Sequence, residues 1–100
     1  MPRKPTISHH DAIVKELRND AHFAAEYLRA AIEESDEPKV LLVALRQLAE
    51  ARGGIAKVAK SAGIERESLY RALSPRGNPR LSTLVAVTKA AGLRLTVAPA

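Results

Sequence analysis

The stretch from Gly54 to Pro79, GIAKVAKSAGIERESLYRALSPRGNP, decides how the chain is read. Ile55, Val58, Ala59 and Ala62 lie at the spacing of one face of an α-helix, which predicts a helix from Ile55 to Ala62. Gly63 then supplies a tight turn, because glycine enters positive φ without a Cβ penalty, and Ile64 plugs the angle that follows. A second helix is expected from about Glu65 to Leu73, with Leu69, Ala72 and Leu73 facing inward. That leaves Arg66, Glu67, Ser68, Tyr70 and Arg71 on the outer and N-terminal surface. Two short helices joined in this way form a helix-turn-helix, whose second helix is shaped to enter a DNA major groove.

Toward the N-terminus, Ser8 to Leu17 reads as a short helix with Ser8 as its N-cap and Ile13, Val14 and Leu17 on one side. Asn19 and Asp20 interrupt it and cap a second helix from about Ala21 to Glu34. Its Phe23, Ala24, Tyr27, Leu28, Ala31 and Ile32 form an apolar stripe. Ser35, Asp36 and Glu37 make an acidic turn. Pro38 fits the first position of a third helix, where its missing N–H has no intrahelical partner to lose. That helix carries Val40, Leu41, Val43, Ala44, Leu45 and Leu48 and ends near Arg52, stopped by Gly53 and Gly54.

Toward the C-terminus, Ser74 to Arg80 contains two prolines, a glycine and an asparagine, and is a basic loop. Leu81, Leu84, Val85, Val87, Thr88 and Ala91 predict a further helix, with Gly92 just beyond its end. Leu93, Leu95 and Val97 alternate with Arg94, Thr96 and Ala98, a period of two that predicts a short strand over 93–97. Such a strand would pair with its copy in a second protomer; the competing reading is an extended tail packed on the surface. The expected architecture is all-α, a bundle of five to six helices with a short C-terminal β-strand. Residues 1–7 are expected to be a flexible tail and 98–100 a C-terminal tail. Residues 8–97 then form one helical domain, with N-terminal helices over 8–52 and the helix-turn-helix over 54–73.

One hundred residues support a modest core that dimerisation would reinforce. The absence of cysteine excludes a disulfide framework and a thiolate metal site, and suits a reducing cytoplasm. There is no signal-peptide apolar region and no apolar run of about 18 residues, so no membrane span is expected. The net charge of +5 is unevenly divided. Residues 1–50 hold seven Lys and Arg against nine Asp and Glu, whereas residues 51–100 hold nine against two. The basic surplus therefore accompanies the helix-turn-helix, where phosphate neutralisation would need it; the competing reading is a solvated basic face.

Arg66 and Arg71 suit bidentate contact with guanine O6 and N7. Ser68 suits a base edge or a phosphate. Tyr70 either donates to a phosphate or meets a thymine methyl, or it is partly buried against the next helix. Glu67 either accepts from cytosine N4 or serves as a first-turn carboxylate. Lys57, Lys60, Arg76, Asn78 and Arg80 would hold phosphates and set position rather than sequence, or stand as ordinary solvated charge. His9, His10 and His22 lack the helical pairing of a zinc protease site and read as surface residues. Glu33, Glu34, Asp36 and Glu37 lack the glycine and spacing of a calcium loop. No catalytic residue, metal or cofactor is expected, and the chain does not read as an enzyme.

The run Val58-Ala59, Gly63-Ile64, Leu69, Asn78-Pro79, Leu81, Thr83-Leu84 and Ala91-Gly92-Leu93 resembles the Xre or lambda-repressor-like helix-turn-helix family. Glu26-Tyr27-Leu28, Ala30-Ala31-Ile32-Glu33, the acidic turn, Ala44-Leu45 and Glu50-Ala51-Arg52-Gly53 are similar to the addiction-module antidote proteins, relatives of the HigA type. So are Glu67-Ser68-Leu69-Tyr70-Arg71-Ala72-Leu73 and Gly77-Asn78-Pro79, and the likeness covers roughly residues 8–97. The resemblance implies a bacterial, cytoplasmic, DNA-binding antitoxin of a type II toxin–antitoxin module, nucleoid-associated when DNA-bound. Such a protein would neutralise a small basic RelE/HigB-like ribonuclease toxin and, as a homodimer on a double-stranded operator, repress its own operon. Toxin contact would fall on residues 1–50. Many relatives place a glutamine where this chain has Ile55, which cannot contact phosphate or orient a base-reading side chain. Two alternatives follow: a stand-alone Xre-type repressor, and a protein-interaction module with weak DNA binding.

Overall fold

The computed structural model describes residues 8–34 and 36–100; the tail expected over 1–7 and Ser35 of the acidic turn lie outside the described residues. Six helices follow in order: α1 (His9–Asn19), α2 (Ala21–Glu33), α3 (Pro38–Ala51), α4 (Ile55–Ala62), α5 (Arg66–Ala72) and α6 (Leu81–Ala90). α1 and α2 begin where short polar side chains satisfy orphaned first-turn donors. The Ser8 hydroxyl accepts the Asp11 N–H at 3.0 Å, and the Asp20 carboxylate accepts the Phe23 N–H at 3.0 Å. Pro38 opens α3. Gly63 ends α4 in the left-handed region, φ 71 and ψ 30, which lets the Ile64 N–H reach back to the Ala59 carbonyl at 2.9 Å.

α3 is the axis of the packing. Its Leu42, Ala44, Leu45, Gln47, Leu48, Ala49 and Ala51 are buried, and it contacts α1, α2 and α4. Around it gather Val14 and Leu17 of α1, Ala24, Leu28 and Ala31 of α2, and Val58 and Ala59 of α4. Leu69, Leu73, Val87 and Ala91 continue the same core into the C-terminal half, where α4 packs on both α5 and α6.

Two arginines carried by α3 and its C-cap reach the ends of other helices. Arg52 donates through Nε to the Ala91 carbonyl at 2.9 Å and through Nη1 to the Leu17 carbonyl at 2.8 Å. Arg46 Nη1 donates to the Leu73 carbonyl. These acceptors sit at the C-terminal ends of α6, α1 and α5, where carbonyls lack intrahelical donors and the helix dipole favours a cation. A second polar chain ties α2, α3 and α1. The Tyr27 hydroxyl donates to Gln47 Oε1 at 2.6 Å, Gln47 Nε2 lies 3.4 Å from His10 Nδ1, and His10 Nε2 lies 2.6 Å from Glu50 Oε2. With the Gln47 amide donating to Nδ1, the imidazole donates from Nε2 to Glu50. His10, exposed as expected, also bridges α1 to α3.

The structure corrects several expectations. No strand forms over 93–97 or elsewhere among the described residues. The Leu93 N–H instead closes α6 by bonding the Thr88 carbonyl at 2.9 Å, and the segment beyond runs beside α2 without a strand to complete a ladder. Ile32, expected on an apolar stripe, is 49% exposed, and Val40, Val43, Leu81 and Val85, which pointed to α3 and α6, are 41%, 41%, 72% and 46% exposed. Leu42, not among the apolar residues named for α3, is in the core at 3% exposed. No helix of the described residues is long and apolar enough to cross a membrane.

Arg52→Met keeps much of the side-chain bulk but strands two carbonyls, and urea titration is expected to show a loss of about 1–3 kcal/mol. Arg52→Lys should recover only part of it, since an ammonium lacks the planar fork that serves both acceptors.

Candidate nucleic-acid interface

Leu69 and Leu73, both 0% exposed, root α5 in the core and dictate which of its residues face outward. Arg66, Glu67, Ser68, Tyr70 and Arg71 are all exposed, and Ala72 is half-buried. Tyr70 is 62% exposed, which overturns its reading as a partly buried residue. α5 is one residue shorter at each end than expected, with Glu65 and Leu73 serving as its caps.

The exposed face of α5 meets the loop before α6. Ser68 and Arg71 share an open hollow of about 530 Å³ with Arg76, Asn78, Arg80 and Thr83. Three guanidinium groups and no carboxylate line it, so its field is positive and suits an anion. The structure does not bring every candidate here. Arg66, Glu67 and Tyr70 lie on α5 outside the hollow, and Lys57 and Lys60 are exposed on α4. The Lys57 stem lies over Gly53, where an added Cβ would stand 2.6 Å from Lys57 Cδ. Ile55, at the start of α4, is half-buried and packs against the core. Among the described residues no group of His, Cys, Asp and Glu could hold a metal ion.

A family model described as "Probable addiction module antidote protein" matches residues 6–99. The chain belongs to this antidote family. It is also 42% identical over 71 residues, 71% of each chain, to an uncharacterized protein of Haemophilus influenzae strain Rd. No solved structure matches it.

In this antidote-family chain the hollow depends on residues that sequence reasoning did not single out for it. A Cβ on Gly77 would stand 1.9 Å from the Ala72 carbonyl oxygen and 2.8 Å from that of Arg71, so the loop passes against the end of α5 only because that position has no side chain. The Ser74 hydroxyl donates to the Arg71 carbonyl at 2.7 Å, and the Gly77 N–H donates to the Ser74 carbonyl at 2.8 Å. Arg46 holds the same helix end from α3, 27 residues away in sequence. The Gly-Asn-Pro motif was the available signal for the loop; no local spacing marks Arg46.

Gly77→Ala must push the loop off α5. Thermal or urea unfolding is expected to show a cost of about 1–3 kcal/mol. Amide exchange should quicken over residues 74–80 while the far-ultraviolet helical signal is kept.

Proposed function

We propose that the chain is the DNA-binding antitoxin of a type II toxin–antitoxin pair, with α4, the Gly63 turn and α5 acting as an Xre-type, lambda-repressor-like helix-turn-helix. Membership of the antidote family supports the antitoxin role, and an antidote requires a toxin; the resemblance points to a RelE/HigB-like ribonuclease. The observation that carries the DNA half is the hollow that gathers Arg71, Arg76 and Arg80 beside the exposed face of α5. Phosphate neutralisation supplies much of the affinity of proteins for DNA, and this surface offers it without opposing carboxylates.

In this reading Arg66 and Arg71 read guanine edges, with Ser68, Tyr70 and Glu67 as their neighbours on the groove floor. Lys57, Lys60, Arg76, Asn78 and Arg80 hold phosphates and set register. Residues 8–97 act as one domain, and a homodimer presents two copies of α5 to half-sites about 10–10.5 base pairs apart. Bound there, it represses its own operon in the bacterial cytoplasm. A second reading, a protein-interaction module with weak DNA binding, is favoured by Ile55, whose side chain packs on the core instead of offering a polar group to phosphate.

Binding isotherms on the upstream region at two salt concentrations separate the two, because a DNA reader loses affinity steeply with salt and prefers its operator to random duplex. Arg66→Ala is expected to relax preference at one base position, at about 1–3 kcal/mol. Lys57→Ala should weaken all sequences alike and reduce the salt slope by about one. Equal loss on operator and random duplex for Arg66→Ala would remove it from base reading. Co-expression with the neighbouring reading frame tests the antidote half: its product should be toxic alone and harmless in complex.

A further inference from the structure

The packing of α2 on α3 leaves an apolar groove of about 360 Å³ that no part of the described chain fills. Tyr27 forms one wall, Val40 and Val43 the other, and the small side chains of Ala31 and Ala44 make the floor shallow enough for close approach. Both valines are 41% exposed, although they lie on the helix that builds the core. Tyr27 is held in place by its 2.6 Å hydrogen bond to buried Gln47, so the groove is shaped before anything enters it. Glu34 stands on its rim, whereas Glu33 faces a separate hollow shared with the C-terminal segment. Among the described residues no ion pair engages Glu34; Glu26 is paired, with Arg29.

An apolar slot with an anionic rim selects its occupant by chemistry. Nucleic acid is disfavoured, since no Lys or Arg lines the groove and its phosphates would meet Glu34. A second copy of this chain is a poor fit: its strongly basic surface is the hollow beside α5, and docking that surface into the groove is a head-to-tail contact that leaves another groove open on each added copy. It would also cover the residues proposed for DNA. What remains complementary is a different protein, offering apolar side chains flanked by Lys or Arg, in the manner of an amphipathic helix laid in a groove.

We infer that the α2–α3 groove is the docking site of the toxin, which inserts an apolar anchor between Tyr27 and Val43 and sets a basic side chain against Glu34. This rests on the antitoxin reading above and narrows toxin contact from the first fifty residues to one surface.

The test uses the full chain and the product of the neighbouring reading frame, with affinity measured by titration calorimetry and operator binding measured beside it. Val43→Arg is expected to weaken the complex about tenfold or more, as removal of a central anchor does. Glu34→Lys, at an exposed site that does not challenge folding, should weaken it most at low salt, where rim charges act furthest. Both variants should keep wild-type operator affinity. Undiminished toxin binding by both would overturn the groove and leave the antitoxin role intact. Failure of the wild-type chain to bind a toxic neighbour product would instead bring down the antitoxin reading, and this inference with it. If Val43→Arg converts a dimer to a monomer without touching toxin affinity, the groove belongs to a second copy and the inference is overturned.

Discussion

The guanidinium groups of Arg46 and Arg52, fixed to one buried helix, hold the carbonyl ends of three others. α4 and α5 have eight and seven residues, too few to be stable as isolated helices in water. They exist because Val58, Ala59, Leu69 and Leu73 dock them on the core and because polar partners receive the backbone groups left over at their ends. Hydrophobic burial is indifferent to small rotations, whereas a hydrogen bond to one named carbonyl is not. Arg46 therefore ties the C-terminal end of α5 to α3, close to where Ser68 and Arg71 meet the loop.

The uneven division of charge takes on spatial meaning in this frame. The apolar, acid-rimmed groove draws on residues between 27 and 44, and the basic hollow on residues between 68 and 83, with none in common. A protein partner and an operator need not compete for the same side chains. The division also guards each surface against the wrong ligand, since phosphate is unwelcome at one and a cationic segment at the other.

Much of this was legible because it is local. The bounds of α4 follow from apolar periodicity closed by Gly63, and α1 and α2 announce themselves through Ser8 and Asp20. The outward set on α5 follows from Leu69 and Leu73 alone. What was not legible depends on partners distant in sequence. Periodicity identifies a helix but not how wide an arc the neighbours cover, so Val40, Val43, Leu81 and Val85 pointed to helices without marking which of them stay exposed. Alternation over 93–97 read as a strand, yet no strand forms there among the described residues; a strand is a property of two segments, and no local pattern names the second. Arg46, Gln47 and Gly77 carried no local mark of their contacts, because a polar helix residue or a loop glycine looks the same whether or not something lies opposite.

The bond between Tyr27 and Gln47 has a further, spectroscopic, consequence. The chain has two tyrosines and no tryptophan, so its near-ultraviolet absorbance and fluorescence come chiefly from these two phenols. One stands in the wall of the α2–α3 groove with its hydroxyl engaged at 2.6 Å; the other projects from α5, 62% exposed. The phenols thus sit in unlike surroundings, one sheltered and hydrogen-bonded, the other in water. Each end of the molecule carries its own intrinsic optical probe, and removing either ring isolates the signal of the other.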